Sequence, residues 1–357
     1  VSQDNLFRLK LMVLMSVLLL GLSINASAAI FGLDGTTTPS FNLSVQAGSL
    51  TTPDGGSVLV WGYGADGAVM QYPGPTLIVN QGATVMVTLK NKLPNLPNST
   101  VPMPVSIVFP GQQNVTAMGG GPGVLTREST GPTDMVTYSF VASEPGTYMY
   151  HSGTRPGLQI EMGLVGALIV RPATPNQAYN HASSTYDHEN LFLLTEMDPA
   201  IHQLVDFGLI DRVDNTVSQP TLWFINGRNG PDTLFPDFVS WLPNQPYGAI
   251  AQIHPGERLL MRVIGAGRDM HPFHTHGNNY TQIARDGRLL ESAPGAGADL
   301  AVSDYTLQVV PGSTYDAIFE WTGKGLGFDI YGSPGDGPEF IHSCTDIAPA
   351  DGYDDIT

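Results

Sequence analysis

Short runs of apolar and β-branched residues, separated by turns, recur along this 357-residue chain and most constrain its fold. Residues 76–79 and 85–89 are two such runs, and they flank a turn at residues 80–82. Residues 41–45 and 136–142 alternate apolar with polar side chains. A period of two residues is typical of a half-buried strand, whereas a helix needs a period of 3.6. The pattern therefore predicts an all-β protein.

The composition agrees with this prediction and limits the possible partners. The chain has 41 glycines and 28 prolines, which is well above their usual share and favours many turns. Its length leaves room for two domains of ordinary size. The net charge is −17, and phosphate binding needs clustered lysine and arginine, so we expect no nucleic acid partner.

Residues 1–28 are typical of a signal peptide. Two basic residues precede a nearly unbroken apolar run over residues 11–22, and Ala26 and Ala28 frame an A-x-A cleavage site. The apolar run is shorter than a usual membrane span, so cleavage would leave no membrane contact. A retained anchor is the alternative. We therefore predict an exported protein, either periplasmic or extracellular.

Three of the nine histidines fall within residues 271–277, which read His-Pro-Phe-His-Thr-His-Gly. Side chains two positions apart on a strand share a face, so we expect His274 and His276 to point the same way. His271 would point to the other face or to a second site nearby. Neutral imidazole is the commonest metal ligand and suits copper, zinc, iron and nickel. The spacing predicts a metal centre, with structural histidines on a half-buried strand as the alternative.

Several motifs resemble those of the multicopper oxidases. Residues 271–277 resemble the family's HPxHxHG stretch, and residues 72–91 resemble the segment that opens one of its cupredoxin domains. Residues 145–153 resemble its PGTYWYHSH stretch, and residues 222–228 resemble an "ftINGr" strand. The resemblance implies two cupredoxin-like Greek-key β-sandwich domains in tandem.

The resemblance also implies domain boundaries. Domain 1 would cover residues 30–172, a linker would follow at residues 173–189, and domain 2 would begin at residue 190 and extend to residue 357. The family's closing strands, which carry HCHxxxHxxxM, are not found in domain 2, so we expect that domain to be incomplete. More chain or another subunit would then supply the missing strands, because a sandwich without them exposes an apolar face and an unpaired edge.

The resemblance implies copper as the cofactor and assigns ligands to it. His271 would bind the mononuclear type 1 copper. His274 and His276 would bind the trinuclear cluster that reduces dioxygen. His151 matches the first ligand of the family's HxH pair in domain 1, although a lone histidine is often a structural residue.

The chain departs from the family pattern at several ligand positions. Val108, Pro110 and Gly153 stand where domain 1 of the family has histidines, and none of these side chains can bind copper. Cys344 is the only cysteine and follows His342 in a His-Ser-Cys order rather than His-Cys-His. These two residues could complete a blue-copper site, but a free thiol or an intermolecular disulfide is the alternative.

Two functions are consistent with these features. The first is an exported laccase-like oxidase that couples oxidation of a small reducing substrate to dioxygen reduction. The second is a secreted copper-binding or scaffold protein without turnover. A zinc hydrolase using Asp269 as its base is a weaker hypothesis, since such a site needs a carboxylate held beside the histidines. For either copper protein we expect a homotrimer or a partner that supplies the missing strands.

Overall fold

The computed structural model describes residues 30–321, except residues 98 and 255. These residues form twenty strands and two short α-helices, which confirms the predicted all-β class. The strands are β1 (Leu33–Asp34), β2 (Ser40–Thr51), β3 (Ser57–Ala65), β4 (Gly74–Asn80), β5 (Thr84–Asn91), β6 (Thr116–Gly119), β7 (Gly121–Pro122), β8 (Arg127–Glu128), β9 (Val136–Val141), β10 (Gly146–His151), β11 (Val165–Arg171), β12 (His188–Met197), β13 (Leu222–Ile225), β14 (Arg258–Gly265), β15 (His271–His274), β16 (Tyr280–Arg285), β17 (Arg288–Leu289), β18 (Val302–Asp304), β19 (Thr306–Val309) and β20 (Thr314–Glu320). The α-helices are α1 (Pro156–Gln159) and α2 (Pro199–Asp206).

The first half of the described chain is a sandwich of two sheets. One sheet has the order β3-β2-β5-β9-β6 and the other has the order β1-β4-β11-β10. Their inner faces meet in one core that includes Leu43, Val87 and Tyr138 from the first sheet and Leu77 and Leu168 from the second, all fully buried. The turn between β4 and β5 carries the chain from one sheet to the other. The two strands predicted on either side of that turn are therefore present but do not pair with each other.

The second half repeats the topology of the first large sheet. Its strands follow the order β13-β12-β14-β20-β16, with β17 and β18 added at β16. The parallel pair β12–β14 and the antiparallel pair β14–β20 correspond to β2–β5 and β5–β9. A two-stranded sheet, β15–β19, covers one face, where Leu307 and Val309 pack against Phe192, Val263 and Tyr315. The repeated order confirms the tandem fold.

Several predictions lie outside the described residues. In the first sandwich, β10 and β11 follow β9 and complete the second sheet. Residues 322–357, which follow β20 and include His342 and Cys344, lie outside the described residues. The incompleteness of domain 2 and the role of Cys344 therefore stay predictions, and the same holds for the signal peptide at residues 1–28.

The two sandwiches share a buried junction. The outer face of β10 and β11, with Met149 and Val165, packs against Leu193 and Ile264 of β12 and β14. Residues 173–189, which the sequence predicts as a linker, lie against the same face of the second large sheet, beside Leu260 and Ile318, where Tyr179 is buried. The junction holds both sandwiches as one packed unit, while the domain boundaries themselves stay predictions.

Candidate metal centre

The histidine motif lies on β15 and the turn that follows it. β15 pairs in antiparallel fashion with β19, which places His271 opposite Val309 and His274 opposite Thr306. His276 follows the end of the strand. The chain then turns at Gly277, whose φ of +74° is a left-handed conformation that glycine adopts without steric cost. His271 and His274 thus lie on a strand, and its partner strand is separated from it by about thirty residues.

His274 and His276 form a pair on one side of this segment. Their ring centroids are 5.0 Å apart with planes at 69°, and both side chains are exposed. The Nδ1 atom of His274 is 2.8 Å from the Thr306 hydroxyl, and its ring also contacts that of Tyr305 at 5.5 Å. A hydrogen bond at one ring nitrogen fixes the ring orientation and leaves the other nitrogen for a metal. The described residues provide no hydrogen-bond partner for Nε2 of His274.

His271 faces a different partner, the buried carboxylate of Glu196. Its Nε2 atom lies 2.8 Å from Glu196 Oε2, and the Glu196 side chain is only 1% exposed. Glu196 Oε1 also accepts hydrogen bonds from the backbone amides of Arg268 and Asp269. A Cβ atom on Gly267 would lie 2.0 Å from the carboxylate, so only glycine allows the chain to pass this close.

These contacts determine the charge of Glu196. Burial opposes its ionisation, but hydrogen bonds from His271 and from the amides of Arg268 and Asp269 outweigh that cost and hold the pKa of the carboxyl below its ordinary value. An ionised Glu196 is a strong acceptor that orients the His271 ring. Nδ1 of His271 is then the ring nitrogen left for a metal.

His151 lies apart from this motif, at the end of β10. Its backbone pairs with Val108, and its Nδ1 atom is 2.9 Å from the Ser152 carbonyl oxygen. Burial, only partly offset by that hydrogen bond, lowers the pKa of the imidazole below its ordinary value. The ring is therefore held in the neutral form that a metal ligand requires.

The first sandwich fills the space around Gly153 with protein atoms. A Cβ atom on Gly153 would lie 2.7 Å from Val108 Cγ1 and 3.1 Å from Ser106 Oγ. The Ser106 hydroxyl bonds the Gly153 amide and the Thr154 hydroxyl, which in turn donates to Glu128. Two of the three departures from the family pattern, Val108 and Gly153, are thus packed against each other.

The structure brings some of the predicted ligands together and not others. His274 and His276 are adjacent, while His271 is bound to Glu196 and His151 belongs to the other sandwich. Across the described part of the chain, no three histidine, cysteine or carboxylate side chains converge in a geometry that could hold a metal ion. The donor chemistry of the His274–His276 pair fits copper, but this pair is only part of a ligand set.

An open groove of about 510 Å³ runs along the motif. Its lining includes His271, Phe273 and His274 together with Trp223 of β13, which is 54% exposed. Sequence reasoning missed Trp223, Glu196 and Thr306, because each lies far from the motif in the chain and no spacing links them to it.

The two sandwiches have a cupredoxin-like fold. Residues 44–175 match the family model "Multicopper oxidase". The chain is 32% identical to L-ascorbate oxidase from Cucurbita maxima over 160 residues, which are 44% of this chain and 25% of that protein. It is 33% identical to copper-containing nitrite reductase from Neisseria meningitidis over 125 residues, 35% of this chain and 28% of that protein.

Solved structures agree at the level of the fold. A blue copper oxidase from Nitrosomonas europaea superposes with a TM-score of 0.57 and 22% identity, covering 80% of this chain and 76% of that one. The chain spans about a quarter of the length of the ascorbate oxidases that it matches. Over part of its length this chain is thus similar to the multicopper oxidases, and that similarity implies copper as its cofactor.

Proposed function

We propose that this protein is an exported, laccase-like copper oxidase. It would oxidise a small reducing substrate in one-electron steps and pass the electrons to dioxygen, which is reduced to water. The observation that carries this proposal is the exposed His274–His276 pair at the end of β15, in which Thr306 already orients the His274 ring. The match of residues 44–175 to the multicopper oxidase family supports it.

The chain's own side chains would prepare the ligands before any metal binds. Thr306 holds the His274 ring through Nδ1, and Glu196 holds the His271 ring through Nε2. Copper, when bound, would supply the one-electron redox chemistry. Because both rings are fixed by hydrogen bonds to other strands, little side-chain entropy is lost on binding.

The proposed ligands are His271, His274, His276 and His151. Since the described residues do not bring three of them together, the remaining ligands would come from outside residues 30–321 or from a partner. A homotrimer would be one such assembly. The small reducing substrate would reach the site through the groove beside Trp223.

Export rests on the sequence of residues 1–28, and a periplasmic or extracellular location follows from it. Within residues 30–321, no helix is long and apolar enough to cross a bilayer. A non-catalytic copper-binding protein is the second candidate. The packing of Val108 against Gly153 favours it, since that packing replaces two ligand positions in the first sandwich.

The test is dioxygen consumption by the copper-loaded full chain with a phenolic or a metal-ion reductant. We expect uptake that is abolished by His274→Ala. The matched control is His254→Ala, because His254 is a histidine with an 87% exposed side chain at a turn, and this variant should retain full activity. Bound copper without dioxygen uptake for either reductant would refute the oxidase and favour the copper-binding protein.

A further inference from the structure

A second cavity, which shares no lining residue with the histidine groove, lies where the two sandwiches meet. Its volume is about 380 Å³, which is within the range of small-molecule binding pockets. We call it the aromatic cavity, after the lining residues Phe31, Phe238 and Tyr247. Asn190 and Asp237 also line it.

Three aromatic rings surround this cavity in a fixed arrangement. The Phe31 and Phe238 rings are 5.1 Å apart and nearly perpendicular, and Phe238 and Tyr247 are 6.2 Å apart at 78°. Phe238 is 59% exposed and Phe31 is 48% exposed. Because these two rings stay half exposed, they contribute little hydrophobic free energy to folding. A ligand in the cavity would cover them.

The cavity wall carries one carboxylate among neutral polar side chains. Asp237 is the one charged side chain among the described residues that line it. Its Oδ1 atom accepts the Gly248 amide at 2.8 Å, the buried Arg228 guanidinium lies near enough to attract the carboxylate, and its Oδ2 atom has no hydrogen bond to a described residue. Asn190 donates to the Ile250 carbonyl, while its own Oδ1 atom is buried without a hydrogen bond to any described residue. A bound molecule with hydrogen-bond donors would complement this wall.

Phe238 lies in a loop whose backbone has an unfavourable conformation at this residue. Phe238 has a φ of +58°, a left-handed conformation that is rare for a bulky side chain. The fully buried guanidinium of Arg228 donates to the carbonyls of Phe235 and Pro246 on either side of it. Asn226 donates to the Gly248 carbonyl of the same loop. Backbone strain that the surroundings maintain often marks a ligand site.

We propose that the aromatic cavity binds a small organic cation with a flat or aliphatic body. Its ammonium group would bond to Asp237 Oδ2, and its body would lie against Phe31, Phe238 and Tyr247. Aromatic faces attract cations, and the chain's charge of −17 attracts them over a longer range. An anion would be repelled by the Asp237 carboxylate.

The test uses three probes of the same shape and different charge. Phenethylamine is a cation near neutral pH, 2-phenylethanol is neutral and phenylacetate is an anion. Calorimetric titration of the copper-loaded full chain under argon measures binding without any oxidase turnover. We expect saturable binding of phenethylamine that is at least about tenfold tighter than that of 2-phenylethanol, because a charge-assisted hydrogen bond is gained. Phenylacetate should not bind.

Three variants locate the site. Asp237→Asn keeps an acceptor for the Gly248 amide and should weaken phenethylamine binding about tenfold while sparing 2-phenylethanol. Phe238→Gly removes the ring and relaxes the left-handed backbone, so it should lose binding without lowering the melting temperature. Phe207→Gly, at an equally exposed phenylalanine (59%), is the control and should bind normally. Equal affinity for the three probes, no saturable binding, or unchanged binding in Asp237→Asn or Phe238→Gly would overturn the proposal.

Discussion

At the scale of single residues, the hydrogen bond that orients the His271 ring depends on a glycine outside the histidine motif. Gly267 passes so close to Glu196 that a methyl group there would overlap all three atoms of the carboxylate. The carboxylate in turn holds the His271 ring and two backbone amides. The position of one ligand is therefore set by a residue without a side chain.

We predict that Gly267→Ala lowers the free energy of unfolding by about 1–3 kcal/mol, because Glu196 must move and its buried hydrogen bonds weaken. Urea unfolding measures this change. Gly131→Ala is the matched control, since a Cβ atom at Gly131 meets nothing within 4 Å, and its stability should stay close to that of the wild type. Equal stability of the two variants would contradict the geometry described for Glu196.

Sequence reasoning at this scale succeeded for residues that are close in the chain. The spacing of His274 and His276 predicted that they share a side, and their rings are 5.0 Å apart although β15 ends at His274. It could not find Glu196 or Thr306, which reach the motif only through pairing of distant strands. Ligand roles for His151, His271, His274 and His276 stay predictions.

At the scale of elements, the pairing of β15 with β19 places Thr306 directly opposite His274. Thr306→Val keeps the shape of the side chain and removes the hydroxyl, so His274 would lose its fixed orientation. We predict about a tenfold loss of copper affinity, which titration with Cu(II) would measure. Thr281→Val is the control, because Thr281 is exposed on β16 of the same sandwich. Unchanged affinity in Thr306→Val would show that the hydroxyl does not position a ligand.

Strand positions could be predicted from the sequence, but sheet membership could not. Residues 76–79 and 85–89 are strands as expected, yet β4 and β5 lie in opposite sheets of the sandwich. The alternation of apolar and polar residues predicts which face of a strand is buried, but it does not predict which strand pairs with it. The same limit applies to Val108. The sequence alone shows that its side chain cannot bind copper, but only the folded structure shows that it packs against Gly153.

At the scale of the whole molecule, a buried network of charged groups joins the two sandwiches. The fully buried Arg262 of β14 bonds Glu189 at 2.9 Å and the Thr147 hydroxyl of β10 at 2.9 Å. Arg171 pairs with the other oxygen of Glu189, and Asp316 accepts the Thr147 hydroxyl. Burial opposes ionisation of Glu189, but the two arginines outweigh it and hold the pKa of the carboxyl below its ordinary value. Opening the junction would break the Arg171–Glu189 ion pair and both bonds of the Thr147 hydroxyl, so both sandwiches should unfold together.

We therefore predict that Arg262→Met lowers the free energy of unfolding by about 3–5 kcal/mol, because it leaves Glu189 and Asp316 buried without their shared cation. Arg258→Met on the same strand is the matched control. The Arg258 side chain is 33% exposed, and its Nε atom is as far as 4.0 Å from Glu320 Oε2. Loss of such an exposed, long ion pair should cost less than about 1 kcal/mol. Urea unfolding followed by tryptophan fluorescence and by circular dichroism should give one shared transition for the wild type and separate transitions for Arg262→Met. Coincident transitions with a small stability loss in Arg262→Met would mean that the apolar contacts of Met149 and Val165 with Leu193 and Ile264 hold the junction without the charges.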